Sequence, residues 1–224
     1  MMGFTRLSSD IASLTLKVPM EDSSESNQPD FWNVRYAAGK TPWDFGGVPL
    51  ALKSFLARSS APGRVLVPGC GSGYEVQAFH VAGYDVSAID FSPAAVEQAK
   101  RVLGSLAERV ILGDFFTHDF GQRRFDLIYE RTFLCSMTPS RWPAYVNRMA
   151  ELLLPGGRLI GVFLYGRRLS SSGPPFPLTD AEAEQLFKER FELVRSEALT
   201  DSLPLFRDME KWQEWLKIGS PADR

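Results

Sequence analysis

A short apolar run, Arg64-Val65-Leu66-Val67-Pro68, stops at three glycines in alternate positions, Gly69, Gly71 and Gly73, and no other stretch restricts the folding of this chain as much. The run reads as a buried strand, the glycines as a tight turn, and the residues from Tyr74 as a helix start. Glycine there permits the positive φ angles of a sharp strand-to-helix reversal and removes side chains that would keep a ligand off the backbone. Something flat or bulky is therefore expected to lie against the turn. A second strand-like run, residues 84–90, ends on Asp90, about twenty residues after the first glycine, where a ribose-binding carboxylate is expected. The two features together predict a nucleoside-containing ligand.

Downstream, strand and helix patterns alternate, which predicts an α/β fold, a doubly wound parallel sheet with helices on both faces. A crossover helix is expected over residues 74–81, and Ser92-Pro93 supplies the cap and first turn of a helix reaching about Leu103. Short strands follow over residues 109–112 and 125–130, and residues 131–139 form the loop at the carboxyl end of the second. Trp142, Tyr145, Val146, Met149, Leu152 and Leu153 recur at helical spacing, and the apolar run 158–165 has the pattern of a central strand buried on both faces. Residues 170–175 are a breaker cluster, a capped helix begins at Thr179, and 191–199 reads as a strand. Residues 211–218 fit strand and helix alike.

Ahead of this core, Leu7, Ile11 and Leu14 form a small apolar patch and residues 21–27 have linker composition, so 1–30 is expected to be a mobile arm. Trp32 and Tyr36 then stand four residues apart, on one helical face, and Trp43 and Phe45 follow the helix end at Gly39 and Pro42. A chain of 224 residues, 44% of them hydrophobic, is enough for one sizeable core, and residues 31–224 are expected to be a single domain. Its net charge of −2, without a basic stripe, gives no footing for nucleic acid and favours a small-molecule partner. No run approaches a membrane span, and the opening residues lack the apolar centre of a signal peptide. Cys70 and Cys135 make neither a metal cluster nor a disulfide scaffold, so no metal is expected and a reducing cytoplasm fits.

The glycine spacing narrows the ligand. A dinucleotide fingerprint is GxGxxG, whereas GxGxG followed by Tyr74 argues against a pyrophosphate. With Asp90 ending the second strand and Gly113-Asp114-Phe115 after the third, the arrangement resembles the S-adenosylmethionine site of Rossmann-like methyltransferases. Further landmarks are Thr41-Pro42-Trp43-Asp44, Val67-Pro68-Gly69-Cys70-Gly71, Phe125-Asp126-Leu127-Ile128, Leu153-Leu154-Pro155-Gly156-Gly157 and Gly173-Pro174-Pro175-Phe176. In this order and spacing they resemble the thiopurine S-methyltransferase family, including its plant and bacterial thiol and halide methyltransferase branch, from Phe31 onward.

The resemblance implies a seven-stranded, mostly parallel sheet with a reversed last strand, placed over 211–218 at the sheet edge. It also implies an aromatic lid within residues 31–60 that closes over S-adenosylmethionine. Carried over to this sequence, it makes Trp32, Tyr36, Trp43, Gly69, Asp90, Asp114, Phe115 and Arg131 cofactor contacts, with Cys70, Gly71, Gly73 and Phe91 beside them. Phe45, Phe133, Cys135, Met137, Phe163, Tyr165, Pro174, Pro175 and Phe176 are expected to wall the acceptor pocket. Tyr36 departs from the halide branch, which tends to have tryptophan there. Glu130-Arg131-Thr132 departs too, since that branch has aspartate and tyrosine where the thiopurine enzymes have Asp-Arg, so Arg131 leans toward thiol methylation.

Methyl transfer from a sulfonium is an in-line displacement, and aromatic faces steady such a cation by about 0.5 to 2 kcal/mol each without adding negative charge. Trp32, Tyr36 and Trp43 are candidates for this, Asp90 for the ribose hydroxyls, and Asp114 and Phe115 for the adenine. Thiols have a pKa of about 8.5 and heteroaromatic thiols ionise more readily, so no dedicated base is required. Arg131 is expected to hold an anionic acceptor as well. His80 is assigned to packing, and His118 follows the third strand without a partner in sequence. The expected activity is a monomeric, cytoplasmic S-methyltransferase acting on a small hydrophobic or heteroaromatic thiol. The alternatives are halide, thiocyanate or bisulfide methylation and, from other classes, a nicotinamide-dependent oxidoreductase or a catalytically silent nucleoside-binding protein.

Overall fold

In the computed structural model, which describes residues 25–59, 62–166 and 173–219, the apolar run before the glycines is strand β1 (Arg64–Pro68). The expected patch at Leu7, Ile11 and Leu14 lies outside the described residues, as do residues 170–172 of the breaker cluster. Alternation along β1 divides the core. Val65 and Val67 face one layer and Leu66 the other. On the Val65 side lie α2 (Leu50–Arg58), α3 (Tyr74–Val81) and α4 (Pro93–Leu103), and on the Leu66 side lie α5 (Trp142–Leu152) and α6 (Asp180–Phe187). Local chemistry starts these helices where the residues predict. Ser92 Oγ accepts from Ala95 N at the head of α4, and Thr179 and Glu182 form a reciprocal capping box on α6.

Beside β1 on one side lie β2 (Asp85–Asp90) and β3 (Val110–Leu112), and on the other β4 (Phe125–Arg131) and β5 (Leu153–Leu164), all parallel. The chain runs outward from β1 to β3 and then returns to place β4 on the opposite flank of β1. This reversal leaves a crevice at the carboxyl ends of β1 and β4, the ordinary ligand position in an open α/β sheet. Beyond β5 come β7 (Glu210–Lys217), antiparallel to both neighbours, and β6 (Phe191–Ala198) at the edge.

The reversed last strand is present, but its expected place at the edge is wrong. Strand β7 is inserted between β5 and β6. Trp212, Gln213, Glu214 and Trp215 are all buried, which erases the period-two signal that would have marked a strand, whereas β6 is exposed along nearly its whole length. The indole of Trp215 stacks on Phe187 at 4.5 Å, and the buried Glu214 is paired by Arg58 and Arg158. Within the stretch expected to be a mobile arm, residues 25–27 form a short turn of 3-10 helix with Ser26 buried, and α1 (Pro29–Ala37) follows. Among the described residues no helix is long and apolar enough to cross a membrane.

One glycine in the sheet reports how closely β4 and β5 approach at the ligand edge. Gly161 pairs with Glu130, and a Cβ built on it would lie 1.9 Å from the Glu130 carbonyl oxygen. Replacing Gly161 with alanine is expected to lower unfolding free energy by about 3 kcal/mol, measured by urea denaturation. A change below about 0.5 kcal/mol would mean that the two strands tolerate separation there.

Candidate active site

Three left-handed glycines build the turn after β1, with φ of +58° at Gly69, +49° at Gly71 and +75° at Gly73. Asp90, at the end of β2, fastens it: one carboxylate oxygen accepts from Gly71 N at 3.0 Å and the other from Ser92 N at 2.9 Å. The carboxyl is buried, and burial raises its pKa against the opposing effect of these N–H groups. Asp90 is therefore a support of the fold as well as a candidate ligand contact. The groups lying against the glycines are the protein's own rings. A Cβ on Gly71 would meet Tyr36 Oη at 2.5 Å, and one on Gly69 would meet the Phe133 ring at 2.4 Å.

Next to the turn is a cavity of about 400 Å³. The end of β2 contributes Ile89, Asp90 and Phe91, and the end of β3 contributes Gly113, Asp114, Phe115 and Phe116. Across from them, α1 and the loop after it supply Trp32, Tyr36 and Trp43, and loops from the other half supply Phe133, Cys135, Met137, Pro174 and Pro175. The lid rings interlock edge to face, Trp32 with Trp43 at 5.2 Å and Tyr36 with Trp43 at 5.9 Å, and Trp43 Nε1 donates to Tyr36 Oη at 3.3 Å. Burial and then Asp90 keep the Tyr36 hydroxyl protonated. Hydrogen bonds fix the head of this aromatic segment at two points. Asn27 exchanges two with Thr138, at 3.0 and 3.3 Å, and Asn33 accepts from Ala94 N at the start of α4 at 2.9 Å.

A second, smaller cleft of about 50 Å³ lies along the turn and shares Tyr36, Trp43, Gly69 and Thr132 with the cavity. Its walls include Cys70, Gly71, Gly73, Glu75, Phe45 and Arg131. The Arg131 guanidinium lies over the Phe45 ring at 4.9 Å, with Nε 3.8 Å from Glu75 and Nη1 3.9 Å from Glu210. Its Nη1 and Nη2 are buried without a hydrogen-bond partner among the described residues. Burial pushes Glu75 up to about 6, with Arg131 opposing. Arg131 thus sits beside the turn and not on the wall of the larger cavity, and the expectation that it holds the acceptor does not fit this placement. Phe45 is likewise at the cleft and absent from the cavity wall.

Three further expected wall residues are also elsewhere. Phe163, Tyr165 and Phe176 are core residues, because the sheet and the loop following it turn their rings inward. Tyr165 donates from its hydroxyl to Gln213 at 3.0 Å, and Phe176 N donates to Cys135 O at 2.7 Å, which anchors the Pro174-Pro175 loop while the ring packs beneath it. His118 packs on Phe120 at 4.6 Å and lines neither space, and His80 is exposed, contrary to its assignment to packing. Sequence reasoning missed Ser26, Asn27, Phe116, Arg141, Leu205 and Phe206, all on the cavity wall. Leu205 and Phe206 come from the β6–β7 connection, where no motif marks them. Composition placed Ser26 and Asn27 in a linker. Among the described residues there is no cluster of His, Cys, Asp or Glu able to hold a metal.

Glu130, next to Arg131 in β4, organises the loop that follows the strand. Its carboxylate accepts from Phe133 N at 2.8 Å, Leu134 N at 3.0 Å and Tyr145 Oη at 2.7 Å. Thr132, at φ +55°, makes the bend that brings those N–H groups back, a conformation uncommon for a branched residue. Burial raises the Glu130 pKa from 4.5 to about 7 against these three donors. A carboxyl raised on folding binds more protons in the native state between its two pKa values, so it favours folding at low pH and loses that contribution as pH rises through the folded pKa. Wild-type stability is expected to fall between pH 4.5 and about 7, with Glu75, Asp90 and Glu210 acting in the same direction. In Glu130→Gln the decline should be shallower by up to about 3 kcal/mol, measured by denaturation at several pH values. Parallel wild-type and variant curves would exclude this carboxyl as a source of the slope.

Comparison with known proteins adds to this geometry. Residues 27–216 match the thiopurine S-methyltransferase (TPMT) family. A probable thiol methyltransferase of Arabidopsis thaliana is 34% identical over 200 residues, covering 87% of this chain and 88% of that one. Thiocyanate methyltransferase 1 of Brassica oleracea is 33% identical, with 84% and 85% covered. The thiopurine S-methyltransferase of Vibrio cholerae is 30% identical, with 71% and 80% covered. In fold the chain is similar to the Burkholderia thailandensis 1,6-didemethyltoxoflavin-N1-methyltransferase solved with S-adenosylhomocysteine, with a TM-score of 0.69, 23% identity, and 91% and 94% of the two chains covered.

Proposed function

The chain belongs to the thiopurine S-methyltransferase family and is an S-adenosylmethionine-dependent S-methyltransferase, and on that premise we propose that its acceptor is a small hydrophobic or heteroaromatic thiol. The observation that carries this reading is the meeting of a ring-lined cavity and a charged cleft at Tyr36, Trp43, Gly69 and Thr132. The two spaces suit the two ends of the cofactor. In the cavity, Asp90 retains lone pairs for ribose hydroxyls after accepting from Gly71 and Ser92, and Asp114 with Phe115 offers a polar edge and an apolar wall to adenine. In the cleft, the uncommitted nitrogens of Arg131 suit a carboxylate and Glu75 suits an ammonium group.

When bound, S-adenosylmethionine supplies an electrophilic methyl group on a positive sulfur. Tyr36 and Trp43 stand where the two spaces join, with Trp32 on the cavity wall beside them, and the three rings would shelter that sulfur. Phe133, Cys135, Met137, Pro174, Pro175, Leu205 and Phe206 are left to wall the acceptor. Apart from Asp90 and Asp114, assigned to the nucleoside, no carboxylate or histidine among the described residues lines the cavity, which suits an acceptor that arrives ionised. Alignment then supplies most of the acceleration, with a contribution of about 7 to 11 kcal/mol available from orientation. The reading takes the enzyme as a cytoplasmic monomer of one catalytic domain, working without nucleic acid or membrane. Its net charge of −2 and its two buried free cysteines support this.

Purified protein given S-adenosylmethionine and a panel of aryl thiols, bisulfide, iodide and thiocyanate is expected to methylate the aryl thiols with the highest kcat/KM. Transfer to iodide or thiocyanate but to no thiol would overturn the acceptor assignment. Asp90→Ala, checked by circular dichroism to be folded at the assay temperature, is expected to lose S-adenosylhomocysteine affinity by at least about tenfold, the loss of a charged hydrogen bond. Undiminished affinity in calorimetry would remove Asp90 from the ribose.

A further inference from the structure

The antiparallel insertion of β7 has a consequence at the ligand edge of the sheet. In β1 to β5 the carboxyl ends meet at the crevice, but β7 runs the other way, so its first residue, Glu210, pairs with Leu164 at the end of β5 and comes up beside Arg131 at the end of β4. The Glu210 side chain is only 1% exposed, and neither carboxylate oxygen has a hydrogen-bond partner among the described residues. The cation beside it is Arg131, with Nη1 at 3.9 Å, while the Ser202 hydroxyl and the Asp201 carboxylate also act on the group. On the opposite edge of the same guanidinium, Nε faces Glu75 at 3.8 Å. Both separations are too long for hydrogen bonds and short enough for strong attraction in a buried setting.

We propose that Glu210 is a positioning residue for Arg131: with Glu75 on the other side, it holds the guanidinium between two charges so that Nη1 and Nη2 remain available to the carboxylate of the cofactor's amino-acid end. Without Glu210 the attraction is one-sided. Arg131 then closes on Glu75, and both groups that face the cleft are consumed by each other. The inference rests on the cofactor reading given above, and it concerns a residue that lines neither the cavity nor the cleft.

Two ligands separate this role from a structural one. S-adenosylhomocysteine carries the amino-acid end, and methylthioadenosine has the same nucleoside and sulfur without it. In calorimetry, Glu210→Gln is expected to weaken S-adenosylhomocysteine about tenfold, corresponding to the loss of one charge-assisted contact, and to leave methylthioadenosine within about twofold. In an Arg131→Met background the same substitution should have no further effect on either ligand. Glu210→Asp keeps the charge but draws it back, so a smaller, still selective loss is expected, and this variant carries the test if the glutamine form does not fold. Equal weakening of both ligands, no weakening of either, or an effect that persists without Arg131 would each overturn the proposal. Failure of the wild-type protein to bind S-adenosylhomocysteine would instead sink the cofactor reading itself.

Discussion

The carboxylate of Asp90 holds two structures in register: the glycine turn after β1, through Gly71 N, and the head of α4, through Ser92 N. Both N–H groups would otherwise point into a buried crevice without partners, and an unpaired buried donor costs about 1 to 3 kcal/mol. The turn can therefore be sharp and glycine-rich without becoming loose. Everything at the carboxyl edge of the sheet is measured from it. Tyr36 and Phe133 press on Gly71 and Gly69, and the cavity and the Arg131 cleft both open against the turn at Gly69.

The rest of the site is a problem of placing charge in a dry setting. Glu75, Arg131 and Glu210 are all at least nine-tenths buried by side chain, and their contacts are close to 4 Å and not hydrogen bonded. Such a group adds little to stability, because desolvation offsets most of the attraction, yet removing one member typically costs about 3 to 5 kcal/mol. A fold that keeps it gains a fixed, uncommitted guanidinium. Glu130 shows the opposite solution. It spends no attraction on a cation, and its three donors give the loop that follows β4 a definite course.

Most of the architecture was legible because the signals were local. The helices beginning at Tyr74, Pro93 and Asp180 start where glycine, a serine cap and a capping box put them, and β1, β2 and β4 carry short apolar runs that little else fits. Of the cavity residues, Gly69 and Asp90 were legible from the glycine turn and the strand-end carboxylate, while Phe91, Asp114 and Phe115 came from the resemblance. What failed lay one step further from local chemistry. Tyr165 and Phe176 are aromatic and near the site in sequence, but their rings are taken by the core, and Phe45 and Arg131 share a cleft that no spacing rule describes.

The residues alone determined the doubly wound sheet and the nucleoside end of the ligand, because period, glycine and strand-end carboxylates act over a few residues each. Only the tertiary structure decided that β7 enters between β5 and β6, that Glu210 thereby reaches Arg131, and that Leu205 and Phe206 complete the cavity wall. Those outcomes depend on which buried surfaces find each other between segments distant in the chain, as Arg131 and Glu210 do, and such a contact leaves no mark in the sequence around either partner.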